Sequence, residues 1–497
     1  MELPRLTAAA ALPEGIGPAY DPAAHGTGIV HIGFGAFHKA HQAAYTEAAL
    51  ARSGGDWRIT GVSLRSVEPA AQITPQDGRY TLIERSAART EAHVIAAVSR
   101  VLALPEAPGE VMAALTDPAC RIVSLTVTEK AYGLDRAAQG CDPSHPAVKA
   151  DLKAPEAPAG VLGLLVRALS LRFAAGVPLF TVLCCDNLPD NGALLRGAVI
   201  DFARRLDPAL AERIGAEVAF PSTMVDRITP AATDETRAEA ARLTGFRDEA
   251  AIETEGFRQW VIEDHFPLGR PDWEAAGAIF VDDVAPYEQM KLRMLNGTHS
   301  MLAYAGFHAG CRYVRDVMAD DDLAPLVARH LAAAAGSLPQ LPGIDLTAYA
   351  QDLRERFRNP GIAHETFQIA MDGTEKLPQR IFAPALEAAR AHGNLRPYAF
   401  ATAAWMRHVT GRTDDCAPYE IRDPRAAEIA GRLVGKTTAA AIVAALCDLP
   451  GFMPAGLQDH RLWRALLTDI LGTMLAAGMR AALEMERQQA TPGASQV

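Results

Sequence analysis

Four side chains capable of chemistry recur at helical spacing within YEQMKLRMLNGTHSMLAYAG: Glu288, Lys291, Asn296 and His299. At roughly 100° per residue they fall within an arc of about 140° on a single helix. From Lys291 to His299 such a helix rises about 12 Å, enough for its ends to bracket a hexose-sized molecule. Leu292 and Leu295 share the arc, so periodicity alone suits an exposed charged stripe equally well. The residue types point further. Reducing a carbonyl needs a proton donor at the nascent alkoxide and neutral donors that stabilise its charge, and Lys, Asn and His supply both. A desolvated lysine has its pKa drawn toward neutrality, so it can give the proton in one direction and take it in the other. Glu288, one turn earlier, could oppose that shift or relay the proton, and Gly297 lets a ligand approach the helix backbone. Tyr287 and Lys291 also spell Y-x-x-x-K, the pair of short-chain dehydrogenases. Those chains are much shorter and carry a different glycine pattern, and a serine would be needed where this chain has PDWEAAG.

Carbonyl reduction calls for a hydride source, and IVHIGFGAFHKAHQAAYTEAAL supplies the element that would hold one. A short apolar strand runs into Gly33, Phe34, Gly35, Ala36, Phe37 and His38, and then into a helix. Gly33 permits the tight turn; Gly35 lets a pyrophosphate approach the backbone at the helix N-terminus. His38 replaces the third glycine of the usual fingerprint. The residue that reads the adenosine ribose falls at the end of the second strand, where Arg65, Ser66 and Glu68 stand and no Asp does. That tip leaves NAD and NADP both open. His38 and His41 are three apart, but no third ligand follows at a metal-site spacing, and a metal is not expected.

The positioning elements follow from the pattern of apolar runs. Ile29–Ile32, Ile59–Leu64, Ile122–Val127 and Leu179–Cys184 read as strands of a parallel sheet covered on both faces, alternating with helices. Beyond about Ala285 the chain turns Ala- and Leu-rich and helical. The expected fold is therefore α/β: a Rossmann-type domain over 1–284, then a mostly α-helical domain over 285–497. A chain of 497 residues exceeds one ordinary core. Its formal charge of −11, with no basic run, argues against a nucleic-acid partner. Seven cysteines, two of them adjacent at Cys184 and Cys185, suit reduced thiols better than a disulfide framework. MELPRLTAAAALPEG has neither the charge nor the apolar run of a signal peptide, and no segment offers roughly 18 consecutive apolar residues. A cytoplasmic protein without membrane association is the expectation; the tail ATPGASQV reads as disordered.

Taken together, IVHIGFGAFHKAHQAAY, IVSLTVTEKAY, FTVLCCDNLPDNG, PSTMVDRITPAAT, FRQWVIEDHFPLGRPDW, MKLRMLNGTHSMLAYAG and RFRNPGIAHETFQIAMDGTEKLPQR resemble, in order, the mannitol dehydrogenase family of long-chain polyol and uronate dehydrogenases. The resemblance implies a proton-transferring Lys291, oxyanion-stabilising Asn187 and Asn296, and a substrate-orienting His299. It also implies acidic positions at Glu129 and Glu288, and Asp226 bordering the cofactor and substrate. QIAMDGTEKLPQR is similar to the uronate-reducing branch, since polyol oxidisers tend to carry Arg near Gln368 and Met371. Lys376 and Arg380 would then meet a carboxylate, with Arg358, Asn359 and His364 nearby in sequence. The implied reaction is NAD-dependent interconversion of D-fructuronate and D-mannonate on a small sugar-acid substrate. A mannitol- or arabinitol-type polyol 2-dehydrogenase, a tagaturonate reductase and a non-catalytic nucleotide-binding protein are the alternatives. Sequence leaves the oligomeric state open.

Overall fold

The computed structural model describes residues 3–86, 89–361 and 364–490. The tail expected to be disordered lies, beyond Ala490, outside them. Contacts divide the chain into two compact units, Met1–Ala285 and Pro286–Val497.

The first unit is built on β1 (Thr27–Ile32), β2 (Arg58–Ser63), β3 (Val98–Ala103), β4 (Ile122–Leu125) and β5 (Thr181–Cys184). They lie in the order β3-β2-β1-β4-β5 with every pairing parallel, the doubly wound Rossmann arrangement. Side chains alternate between two cores. Val30, Ile32, Val123, Leu125 and Val182 pack on one face, and Ile29, Ile59, Ile122 and Leu183 on the other. Both faces being covered is why these strands read as continuous apolar runs. The expected strands are all present. The edge strand β3, with Ser99 and Arg100 interrupting its apolar residues, carries no such run and escaped the sequence pattern. Two further three-stranded sheets were also unforeseen: Tyr80–Arg85 with Thr90–Ile95 and Ile252–Glu255, and Thr223–Asp226 with Gln259–Glu263 and Ile279–Val281.

The helix expected after the glycines is broken into α1 (Ala36–Ala40) and α2 (Gln42–Ser53) at His41 (φ −108°, ψ −92°). Glu47 of α2 ties this face to the loop before β3. One carboxylate oxygen accepts the N–H groups of Ala96 and Ala97 at 2.8 and 2.7 Å and the Tyr20 hydroxyl at 3.0 Å. Its other oxygen is buried without a partner.

The second unit is helical among the described residues. The segment anticipated as one α-helix is α3 (Ala285–Met290), a π-helix π1 (Lys291–Gly297) and α4 (Thr298–His308). A second π-turn, π2 (Pro378–Phe382), follows the short α-helix Gly373–Leu377, where Pro378 has no N–H for the regular ladder. The last helix, α5 (Arg461–Ala490), is long and apolar enough by composition to cross a membrane. It is broken at Gly478 (φ 84°), and its Trp463, Leu467, Ile470, Leu471, Met479 and Leu483 are buried in this unit. One face of the helix is thus packed into this unit.

Burial pushes the Glu47 carboxyl up to about 7 against an ordinary value near 4.5. Its folded-state pKa being the higher, the stability it contributes is present below pH 4.5 and lost as pH rises through 7. Glu47→Gln should therefore stabilise the protein by roughly 1–3 kcal/mol at pH 8 and by nothing measurable at pH 4.5. Urea denaturation at the two pH values tests this.

Candidate active site

The loops leaving the carboxyl ends of β1, β2, β4 and β5 share one edge of the parallel sheet, where ligands of open α/β sheets bind. Gly33 turns the chain there with φ 97°, and a Cβ on it would overlap the Thr126 carbonyl oxygen. Gly35 is exposed, and a Cβ on it would meet nothing nearer than the Gly33 carbonyl oxygen at 3.7 Å. That open face, followed by first-turn amides of Ala36, Phe37 and His38 that lack an intrahelical acceptor, fits a dinucleotide phosphate. Phe34 is buried, close above Gly61 of β2. Arg65 is exposed just past β2; Ser66 Oγ accepts the Glu68 N–H at 3.1 Å.

The rest of the motif points into the protein. The Lys39 ammonium donates to the Ala250 carbonyl at 2.9 Å, and burial lowers its pKa to about 8. His41 Nε2 bonds the Gln259 carbonyl at 3.0 Å, while the His38 ring stacks on His31 with centroids 3.5 Å apart. His38 and His41 thus have separate structural duties and do not form a ligand pair. Desolvation holds all three imidazoles neutral, with His31 and His41 near 3.

The same edge carries the sequence-nominated residues after β4 and β5. The Asp186 carboxylate accepts the amides of Val127 (2.9 Å) and Thr128 (3.2 Å) and the Tyr132 hydroxyl (2.7 Å). This clamp places Glu129 beside Asn187's loop. Thr128, a β-branched residue at φ 73°, is held in a backbone region such residues avoid. Glu129 is exposed and pairs with Arg136 at 2.6 Å; Asn187 is exposed. Asp226 is buried at the end of its strand, near enough to the α1–α2 joint for its charge to act on His41. Its neighbour Arg227 bonds the carbonyls of Ala40 and Glu255 and pairs with Glu84.

In the second unit Lys291 is buried (8% exposed), Asn296 and His299 are half-buried, and Glu288 is half-buried one turn before. The π-turn overturns the α-helical arithmetic for this segment. Its i→i+5 repeat matches the Lys291–Asn296 spacing, so the two side chains lie nearer in azimuth than the about 140° an α-helix would impose. Gly297 is required because a Cβ there would stand 2.9 Å from the Arg380 carbonyl oxygen of π2. Arg380 in turn donates to the Asn296 carbonyl (3.4 Å) and Ser300 Oγ (3.3 Å), bracing the element that holds Asn296. The Tyr287 hydroxyl donates to the Pro342 carbonyl at 2.7 Å, which removes it as the acid of a Y-x-x-x-K pair.

The His299 ring lies against Phe357 (4.7 Å) and edge-on to His364 (5.4 Å). Lys376 donates to the Met371 carbonyl at 2.6 Å and lies 3.7 Å from Asp372. Asn359 is buried and its side-chain oxygen accepts the Gly361 N–H, whereas Arg358 is exposed. Arg356 is the buried arginine of this helix, on the face shared with Leu353 and Phe357. Sequence reasoning passed over it; the period of the apolar residues in YAQDLRERFR was the available signal. Burial, then the charges of Arg356 and Lys376, depress the His364 pKa.

Residues 27–275 match the model of the mannitol dehydrogenase Rossmann domain, and residues 283–459 that of the mannitol dehydrogenase C-terminal domain. The chain belongs to the mannitol dehydrogenase family. It is 41% identical to the D-mannonate oxidoreductase of Escherichia coli (strain K12), over 93% of this chain and 94% of the relative. It is equally similar, at 41% over 93% and 96%, to the uncharacterized oxidoreductase YdfI of the same organism. The Pseudomonas fluorescens mannitol 2-dehydrogenase, solved as a ternary complex with NAD and D-mannitol, superposes with a TM-score of 0.79 at 35% identity, covering 98% of this chain and all of that one. Membership makes this chain an oxidoreductase with a Rossmann domain followed by a helical one.

The two glycines separate ligand contact from folding. Gly35→Val, whose side chain enters open space, should keep the melting temperature within a few degrees and weaken NADH binding more than tenfold. Gly33→Val, strained and overlapping Thr126, should fail to fold stably. Fluorescence titration with NADH beside thermal melts checks both.

Proposed function

We propose that this enzyme reduces D-fructuronate to D-mannonate reversibly, with NADH as the preferred cofactor. The bound nicotinamide supplies or accepts the hydride; the protein's own side chains handle charge and the proton. Lys291 protonates the carbonyl oxygen in reduction and removes the hydroxyl proton in oxidation. Its side chain is buried, which limits competition from bulk water for that proton. Asn296 and Asn187 are assigned to stabilise the developing alkoxide through their amide N–H groups, and His299 to orient the adjoining oxygen. Glu288 and Glu129 are assigned to proton movement, and Asp226 to the border of the cofactor.

The observation that carries the substrate class is the cluster of positive groups around His364, whose ring abuts His299. Arg356 and Lys376 both act electrostatically on His364, and Arg380 acts on Lys376. Such a field suits a carboxylate better than an uncharged polyol. Lys376, Arg380 and Arg356 are the residues proposed to meet it, with Asn359, His364 and Arg358 at the margin. A mannitol-type polyol 2-dehydrogenase is the second reading. It is favoured by the bonding of Lys376 to the Met371 carbonyl and Asp372, which already engages part of that charge.

Fructuronate, tagaturonate, fructose and mannitol, each assayed with both nicotinamide cofactors, separate these readings. The expected result is kcat/KM for fructuronate with NADH at least tenfold above every other combination; preference for mannitol or fructose would overturn the uronate assignment. Lys291→Ala should lower kcat by about 10²–10⁴-fold while NADH binding stays within a few fold of the parent. Comparable turnover in that variant would remove Lys291 from the proton step.

A further inference from the structure

Beneath the glycine turn lies a buried polar chain that the proposed reaction does not use. His31 of β1 bonds Ser124 Oγ of β4 through Nδ1 and Thr126 Oγ1 through Nε2, both at 2.9 Å. Thr126 Oγ1 stands 3.0 Å from the Gly33 carbonyl oxygen, and Ser124 Oγ stands 2.7 Å from the side-chain amide of Gln42. His38 stacks on His31, and neither of its ring nitrogens has another partner.

Counting protons orders this chain. A carbonyl only accepts, so the single hydroxyl proton of Thr126 goes to Gly33. The Thr126 oxygen must then receive a proton from His31, which puts the imidazole proton on Nε2 and leaves Nδ1 bare. Nδ1 takes the only proton of Ser124. Ser124 Oγ must therefore accept from Gln42, which turns the amide nitrogen toward it. The oxygen and nitrogen of an amide have the same shape, so the bonding network decides between them. This orientation also gives the Gln42 nitrogen, otherwise buried without a partner, its acceptor.

We infer that Gln42, Ser124, His31 and Thr126 form a one-directional hydrogen-bond relay, roofed by the stacked His38 ring, that ends on the Gly33 carbonyl and fixes the glycine turn for nicotinamide-cofactor binding. Thr126 and His31 are its positioning residues. A carbonyl free to rotate in this turn would present its lone pairs to an anionic ligand. Held by Thr126, with the Gly33 and Phe34 amides both bonded to the Val62 carbonyl (2.8 and 3.2 Å), the Gly33–Phe34 peptide has one orientation. The inference rests on the nicotinamide reading of the loop and is independent of the sugar substrate.

The test is NADH and NADPH binding, by fluorescence titration in the absence of substrate, for the full-length parent, Thr126→Val, Thr126→Ser and Gln42→Glu, each checked for its fold by circular dichroism. Thr126→Val should weaken dinucleotide binding at least tenfold. Thr126→Ser, which keeps the hydroxyl, should stay within about threefold. Gln42→Glu, with no amide donor for Ser124, should fall between them. Thr126→Val binding as tightly as the parent overturns the proposal. Should that variant not fold, nitrogen-15 imidazole shifts of His31 in the parent decide: protonation at Nε2 supports the relay, and protonation at Nδ1 overturns it. A parent that binds neither dinucleotide would refute the cofactor reading itself, a result distinct from an insensitive Thr126.

Discussion

The carboxyl edge of the sheet depends on one half-buried carboxylate. Asp186, the second residue beyond β5, accepts two consecutive amides and a tyrosine hydroxyl from the chain that leaves β4. Loop amides at the end of a parallel strand have no ladder partner, and a carboxylate that satisfies two of them fixes the loop's path. From that clamp follow the left-handed Thr128, the position of Glu129, and the Thr126 backbone against which only a glycine fits at position 33. The glycine turn is thus shaped from beneath by β4 as well as by its own permissive φ.

The second unit solves a different problem, holding a polar face of a helix in fixed register. Two π-turns meet where Gly297 lets the Arg380 backbone approach, and the Arg380 side chain returns to bond the Asn296 carbonyl. π-Turns leave a carbonyl imperfectly served by the helical ladder, and a guanidinium is an efficient donor to it. Arg293 anchors the same turn from the far side through a two-point pair with Glu387 at 2.6 and 2.7 Å. An element braced this way spends little free energy on ordering when substrate arrives.

Histidine is used structurally in the segment that follows the glycine turn. His31, His38 and His41 are desolvated and neutral, each placed by stacking or by a hydrogen bond to backbone or hydroxyl. The motif F-H-K-A-H-Q after the glycines therefore anchors the turn to β1, to β4 and to the strand carrying Gln259.

Much of this was legible in the residues themselves. Four central strands announced themselves as unbroken apolar runs because both sheet faces are buried. Gly33 marked the turn by its need for a positive φ, and Lys291, Asn296 and His299 could be singled out by residue type, though not by the α-helical period assumed for them. Geometry that depends on partners distant in sequence was not legible. The π-turn at Lys291 packs closely against residue 380, the break at His41 lies where its imidazole is bonded to Gln259, and Arg356 rather than Arg358 is buried because of which helix face packs inward. The sequence by itself determined the central strands and the glycine turn, because residue type and the apolar runs are properties of the chain alone. Tertiary structure decided where each group points and what holds it there, because those depend on contacts between segments more than two hundred residues apart.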